Sequence, residues 1–418
     1  MGDLPLKVRP EMLLDPFFRR IIRQGELIIT DAAGRTHRYG APDPARAPVR
    51  MTFHDRRVPF DIMRRPTLGV SEAYMNGRLD VEGDEILALL DLFRANVPWE
   101  TARDDGLGTG EHPWLMKLFR ANSARQSKRN VAHHYDLSDR LYDLFLDRDK
   151  QYSCAYFSED NSDLDLDVAQ RDKKAHIAAK LNLKPGQKVL DIGCGWGGMA
   201  LYLNRVADVD VLGITLSEEQ LKVARRRAEE AGVADRVKFE LIDYRVLTGH
   251  FDRIVSVGMF EHVGVPDFRT YFRRVRELLT DDGVALIHTI GRMGPPGYTD
   301  SFTAKYIFPG GYIPAMSETV AASERERLIV SDIEVLRLHY GLTIEHWYAR
   351  TGAARDKIID LYDERFYRMW RFYLAGAIVA FRWGEMVNFQ IQYVRDRRAL
   401  PITRDYLARD EAALLAKG

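Results

Sequence analysis

Cysteine is scarce in this chain: its 418 residues include only Cys154 and Cys194. Two thiols cannot build a disulfide framework, so a reducing cytosol is the expected compartment. Long apolar runs are also missing. The longest near the end, residues 374–381, falls far short of the ~20 residues that span a bilayer. Residues 1–9 lack the apolar centre of a secretory signal. Net charge is absent as well, because 61 Lys and Arg balance 61 Asp and Glu. No global basic field therefore gathers nucleic acid. No Gly-x-Ser-x-Gly elbow occurs, which removes the serine-hydrolase reading. Neighbouring Glu261 and His262 lack the i, i+4 spacing of a zinc helix, and no cysteine pair supports them, so no metal is expected. Any contact with a membrane is expected to be peripheral.

What is present is an apolar content of 46% and a length that suggests two or three domains. Residues 1–95 read as a small α+β unit. Segments 26–30 and 36–39 flank Asp31-Ala32-Ala33-Gly34 as a hairpin, and 50–54 is a further strand. Segments 71–76 and 85–93 read as helices, the second with Ile86, Leu89, Leu90 and Phe93 on one face. Nothing there forms a catalytic constellation. His54 and Asp55 are neighbours, and neighbours on a strand face opposite ways. Residues 96–113 are rich in Gly and Asp and read as a linker, placing a first domain at 1–113. In 114–130, Trp114, Leu115, Leu118 and Phe119 recur at helical spacing, and Lys117, Arg120, Arg125, Lys128 and Arg129 occur without an intervening acid. This is either a connecting helix packed on a neighbour or a helix lying on an anionic membrane surface. In the second case its cations are worth at most about 5 kcal/mol of attraction.

From 131 to the end the chain alternates strands and helices, the pattern of a doubly wound parallel sheet. Expected strands are 188–192, 209–214, 237–242, 254–257 and 284–289, with 343–347 and 389–393 closing the sheet. Helices are expected at 218–231, 267–279 and 355–383. Residues 291–333 are rich in Gly, Pro and aromatics early on and read as a lid inserted over the strand ends.

Residues 189–198 read Val-Leu-Asp-Ile-Gly-Cys-Gly-Trp-Gly-Gly, an apolar run ending in glycines before a helix. Gly193, Gly195 and Gly198 satisfy the dinucleotide pattern G-x-G-x-x-G. However, the next strand ends in Thr215-Leu216-Ser217, where a ribose-binding acid would be expected for NAD. A nucleotide-like cofactor without a pyrophosphate, S-adenosylmethionine, fits better. In an open α/β sheet, ligands bind beyond the carboxyl ends of the strands. The polar residues in those positions are Asp191, then Asp243 and Tyr244, then Glu261 and His262, then His288-Thr289-Ile290-Gly291. Glu261 and His288 follow adjacent strands beside the glycine turn, and are candidates for acid–base work on one substrate. A second polar–aromatic cluster, His133 to Asp136 and Gln151 to Phe157, precedes the sheet. Cys154, taken alone, reads as a small buried residue.

At these residues the chain resembles the cyclopropane-fatty-acyl-phospholipid synthase family, which includes the mycolic acid cyclopropane synthases. The resemblance runs through His134-Tyr135-Asp136, 151–157, 189–198, 214–220, 251–264, 288–291, Lys305 to Gly311 and His339-Tyr340-Gly341. It covers about the last 290 residues. It implies a seven-stranded, Rossmann-like methyltransferase sheet, residues 131–418, preceded by a smaller α+β domain that serves lipid binding or dimerisation. It implies S-adenosylmethionine held by Tyr152, Ser153, the turn at Gly193 and Gly195, Thr215, Leu216, Ser217 and Gln220. It also implies a bicarbonate ion as catalytic base, caged by Cys154, Glu261, His288, the Ile290 backbone and Tyr340. Ala377 stands where some members carry a cysteine, which leaves that position out of the mechanism. The implied reaction adds a methylene to a cis double bond of a phospholipid acyl chain, through a carbocation that loses a proton. The implied setting is a cytoplasmic homodimer at the inner face of the membrane. Three alternatives remain: methylation of the same double bond to a branched chain, a non-catalytic lipid-binding relative, and a nucleic-acid methyltransferase. The last is disfavoured by Gly258-Met259-Phe260-Glu261 where an Asn/Asp-Pro-Pro-aromatic loop would stand.

Overall fold

The structure, a computed structural model, describes residues 13–101, 138–158 and 165–418. The basic segment 114–130 and the His133–Asp136 cluster lie outside the described residues. The chain divides into two compact units. The described residues of 1–112 fold together with 300–307 and 344–385, and the remainder forms the second unit. Two segments of 131–418 thus belong with the N-terminal strands rather than with the large sheet.

The smaller unit contains a four-stranded sheet of order β2-β1-β3-β4, built from β1 (Gly25–Thr30), β2 (Thr36–Ala41), β3 (Val49–Phe53) and β4 (Leu79–Val81). The hairpin β1–β2 turns at Asp31, whose carboxylate accepts from the Ala33 and Arg35 amides at 2.8 and 3.0 Å. The aromatic-rich helix Glu364–Arg382 buries Tyr367, Trp370 and Phe372 within this unit.

The larger unit is built on a sheet of seven strands: β5 (Lys188–Ile192), β6 (Asp210–Thr215), β7 (Val237–Leu241), β8 (Phe251–Val257), β9 (Leu279–Arg292), β10 (Ile329–Leu336) and β11 (Met386–Val394). Their order is β10-β11-β9-β8-β5-β6-β7. β11 runs antiparallel to β9 and β10, and the other neighbouring pairs are parallel. Successive residues of the central strands enter different apolar clusters. Leu190, Ile254 and Ile287 join Phe272 and Phe389, while Val189, Val255 and Leu286 join Leu203 and Val211. That period of two, apolar in both phases, is what a parallel sheet covered on both faces demands. The order reverses between β5 and β8, the switch point at which such sheets bind ligands.

Three elements differ from expectation, the first being the helix expected over 355–383, which is two, Arg355–Leu361 and Glu364–Arg382, the second capped by Asp363. Residues 343–347 lie inside the helix His339–Ala353, not in a strand. Thr343, Ile344, Trp347, Tyr348 and Thr351 are all buried, and this i, i+1, i+4, i+5 recurrence is one face of a helix. The strand actually beside β11 is β10, drawn from the end of the expected lid. Its alternation of Val330, Asp332, Ile333 and Glu334 was masked by the charges at this sheet edge. The rest of 291–333 holds a π-helical turn, Thr303–Ile307, and the helix Met316–Arg325.

Candidate active site

The turn after β5 is closed by two backbone bonds: the Gly193 and Cys194 amides donate to the Ile214 carbonyl at 2.9 and 3.0 Å. Gly193 has φ of 83°, and a Cβ there would sit 2.9 Å from the Met259 side chain. Gly195 has φ of 54°, and among the described residues nothing lies within 4 Å of where its Cβ would stand. A left-handed turn bordering open space is a cradle that a ligand can approach closely. Asp191, at the end of β5, is only 1% exposed, and its Oδ2 has no hydrogen-bond partner among the described residues. Burial pushes its carboxyl up to about 7, against the opposing pull of the Lys173 ammonium. At the end of β6, Thr215 Oγ1 lies 3.3 Å from Gln220 Oε1 and accepts from the Ser217 amide at 3.1 Å. Ser217 caps the following helix, Glu218–Glu230, by accepting from the Gln220 amide. Leu216 lies between them, half-buried. After β7, Asp243 is held by the Arg245 amide and guanidinium, and Tyr244 packs edge-on to Tyr271.

The segment bearing Tyr152, Ser153 and Cys154 is fastened by the helix Leu166–Lys180. Gln170 Nε2 donates to the carbonyls of Gln151 and Ser153 at 3.2 and 2.9 Å. Lys173, fully buried, donates to Gln151 Oε1 at 2.7 Å and Ser153 Oγ at 2.9 Å. The Tyr152 ring packs edge-on against Tyr142 and Phe145. The same segment is held from the other side by the helix His339–Ala353. Thr343 Oγ1 accepts from the Ala155 amide at 3.0 Å, and His339 Nδ1 accepts from the Phe157 amide at 2.9 Å. Tyr340 is buried in the first turn of that helix.

Glu261 sits in the short turn Phe260–His262 that follows β8. Its Oε1 accepts from the Ile290 amide of β9 at 2.6 Å, and its Oε2 is buried without a partner among the described residues. Burial pushes this carboxyl up to about 7, with the Ile290 amide acting in the opposite direction. His288, on β9, contacts Gln390 Nε2 through Nδ1 at 3.2 Å, and its Nε2 is buried without a partner among the described residues. Burial, reinforced by the nearby Lys173, Lys180 and His176, holds its pKa well below the imidazole range, so the ring is neutral. The Cys154 thiol donates to the Ala155 carbonyl at 3.2 Å, and burial pushes it up, so it stays protonated.

The structure thus ties Glu261 directly to Ile290, and stitches the Cys154 segment to the turn of helix that carries Tyr340. The Ile290 amide, part of the backbone expected at the anion, donates to Glu261 and fixes that carboxylate. Sequence reasoning missed Gln170, Lys173, Thr343 and Gln390. Two signals were available. Asn388, Gln390 and Gln392 recur at a period of two on a strand that is otherwise apolar, and Lys173, His176 and Lys180 recur at helical spacing in an Ala-rich helix.

A seven-stranded sheet with this order, a glycine cradle at its switch point and an orphaned buried carboxylate just before it define an S-adenosylmethionine-dependent methyltransferase. Residues 122–391 match the family model described as mycolic acid cyclopropane synthetase, and the chain belongs to that family. A protein from Pseudomonas putida named "Probable fatty acid methyltransferase" is 39% identical over 352 residues, covering 81% of this chain and 86% of its own. The cyclopropane-fatty-acyl-phospholipid synthase of Escherichia coli K12 is 38% identical over 340 residues, 80% of this chain and 85% of its own. The solved structure of mycolic acid cyclopropane synthase CmaA1 complexed with SAH and CTAB superposes with a TM-score of 0.60 at 34% identity, covering 64% of this chain and 97% of that one.

Proposed function

We propose that this enzyme transfers a methylene from S-adenosylmethionine to the cis double bond of unsaturated phospholipid acyl chains and closes a cyclopropane ring. The observation that carries the reading is the pair of buried atoms that have no partner among the described residues, Glu261 Oε2 in the turn after β8 and His288 Nε2 on β9, the strands that follow β5 in the sheet order. Unsatisfied buried polar atoms are costly unless a ligand meets them.

When bound, S-adenosylmethionine supplies a methyl group on a positively charged sulfur. Gly193, Gly195, Asp191, Tyr152, Ser153, Thr215, Leu216, Ser217, Gln220, Asp243 and Tyr244 would hold it, with the Asp191 carboxylate offered to its cationic amine. An acyl chain that has accepted a methyl carries a positive charge that water would quench, which requires a dry site. Ring closure then requires a base to take a proton from that methyl. A bound bicarbonate would supply that base: His288 and Tyr340 would donate to it, Glu261 Oε2 would accept from its hydroxyl, and Cys154 would form part of the wall. Glu261 is kept in place by the Ile290 amide.

The setting is part of the same proposal. The N-terminal region 1–113 serves lipid binding or dimerisation, and the basic segment 114–130 rests on an anionic membrane surface. The protein is a cytoplasmic homodimer, bound peripherally at the inner face of the membrane, with no role on nucleic acid. Among the described residues no helix is long and apolar enough to cross a membrane. A second reading, methylation of the same double bond to a branched chain, is favoured by the printed name of the Pseudomonas putida relative. The cation is shared, and the two outcomes differ in which proton leaves.

Expression in a host lacking such an enzyme, followed by lipid extraction, separates the readings. The ring reading expects a gain of one methylene per modified chain and the upfield proton signals of a cyclopropane. The same mass gain with new olefinic signals, or a saturated branched chain, supports the second reading, and unmodified lipid overturns both. Glu261→Gln is expected to lower turnover by roughly 10²–10⁴-fold, the range of positioned acid–base groups, while leaving S-adenosylmethionine binding by calorimetry nearly intact. Retained turnover refutes the role given to Glu261.

A further inference from the structure

Behind His288 lies a chain of buried and half-buried groups that the reaction as described does not use. β11 pairs with β9 so that Gln390 stands opposite His288. Gln390 Oε1 lies 2.7 Å from Lys180 Nζ, and Gln390 Nε2 lies 3.2 Å from His288 Nδ1. Lys180 also binds Glu334 Oε2, which meets His176 Nε2 at 2.6 Å, and His176 Nδ1 meets Glu411 Oε2 at 2.9 Å. Lys180 and Gln390 are each only 1% exposed.

Donor and acceptor rules settle the orientation of each group in turn. Glu334 is a carboxylate, held down to about 2 by its bonds to His176 and Lys180 despite the opposing effect of burial. Lys180, paired with that carboxylate, has an ammonium that only donates. The end of the Gln390 amide facing it must be oxygen, so the end facing His288 is the NH₂, which also only donates. His288 Nδ1 therefore accepts, and a neutral ring then carries its one proton on Nε2, the atom without a partner in the site.

We propose that Gln390 and Lys180 are positioning residues that lock His288 as the neutral Nε2–H tautomer, a hydrogen-bond donor to a small anion with no lone pair of its own to offer there. The opposite tautomer would turn a lone pair toward the anion and repel it. The consequence for turnover rests on the anion-assisted reading above, but the tautomer itself does not. Second-layer partners of this kind set ring orientation and tautomer in metal sites, where their loss costs roughly 10–100-fold. A similar loss in kcat, with little change in KM for S-adenosylmethionine, is expected for Gln390→Leu.

The test reads the tautomer directly, by nitrogen NMR of the full-length protein carrying ¹⁵N-labelled histidine, with His288 assigned by its loss in His288→Gln. The wild-type ring is expected to show a protonated Nε2 and a bare Nδ1 near neutral pH, in the absence of cofactor and bicarbonate. Gln390→Glu places an acceptor opposite Nδ1 and is expected to move the proton there, with a fall in kcat. Lys180→Arg keeps the donor and should preserve tautomer and rate, whereas Lys180→Met should lose both. A wild-type ring protonated at Nδ1, or a Gln390→Glu enzyme with unchanged tautomer and kcat, overturns the proposal. If the expected tautomer appears in a protein that makes no cyclopropane, the reaction reading fails and the tautomer assignment stands.

Discussion

Asp191 and Glu261 share an uncommon condition: each is a buried carboxyl with one oxygen unpartnered, pushed by burial up to about 7. Folding raises their proton affinity above that of the unfolded chain. Between about pH 4 and about pH 7 the folded state therefore binds more protons, and stability falls as pH rises. For Asp191 the cost of ionising in place reaches about 4 kcal/mol above that window and vanishes below it. Asp191→Asn is accordingly expected to stabilise the ligand-free enzyme at about pH 8, to lose that advantage near about pH 4, and to weaken S-adenosylmethionine binding. Urea unfolding at the two pH values and calorimetry check this, and an equal stability difference at both values would contradict it. Asp191, Glu261 and His288 were legible in the sequence because their positions follow from where apolar runs end. Lys173 and Gln390 left only a spacing pattern in the sequence, since each matters through a partner many positions away, and one chain read alone carries no record of such pairings.

At the scale of elements, the helix His339–Ala353 shows where pattern reading failed and why. Thr343-Ile344-Glu345-His346-Trp347 has the β-branched and aromatic content of a strand. In the fold its apolar residues pack on one helical face, and its first two turns hold the segment after Cys154 through His339 and Thr343. Tertiary packing overrode local propensity. Thr343→Val keeps the side-chain shape and removes the acceptor of the buried Ala155 amide. A loss of about 1–3 kcal/mol is expected, the cost of a buried donor left unpaired. Denaturant unfolding measures it. S-adenosylmethionine affinity should fall with it, since Ser153 lies on the same segment. Unchanged stability would show that another acceptor replaces the hydroxyl. By contrast, β5, β6, β7, β8 and β11 were expected within a few residues of their observed bounds, because each is a short segment with apolar residues in a strand pattern, bounded by turn residues.

For the whole molecule, the two compact units are assembled from interleaved stretches of chain, with 300–307 and 344–385 grouped with the N-terminal strands. Expected attachment to a membrane belongs to this scale. Reversing the charge at Lys117, Arg120 and Arg125 should reduce co-sedimentation with anionic phospholipid vesicles, most visibly at low salt, while leaving binding to neutral vesicles little changed. Identical sedimentation on anionic vesicles would remove that segment from the interface. The sequence by itself determined the doubly wound sheet, the glycine cradle and the polar strand ends, because periodicity and glycine placement act over a few neighbouring residues. Only the tertiary structure decided that the Ile290 amide anchors Glu261, that Lys180 and Gln390 stand behind His288, and that the late helices join the N-terminal unit. Those outcomes depend on hydrogen bonds and packing between residues brought together from distant parts of the chain, where directional donors must meet acceptors once water is excluded.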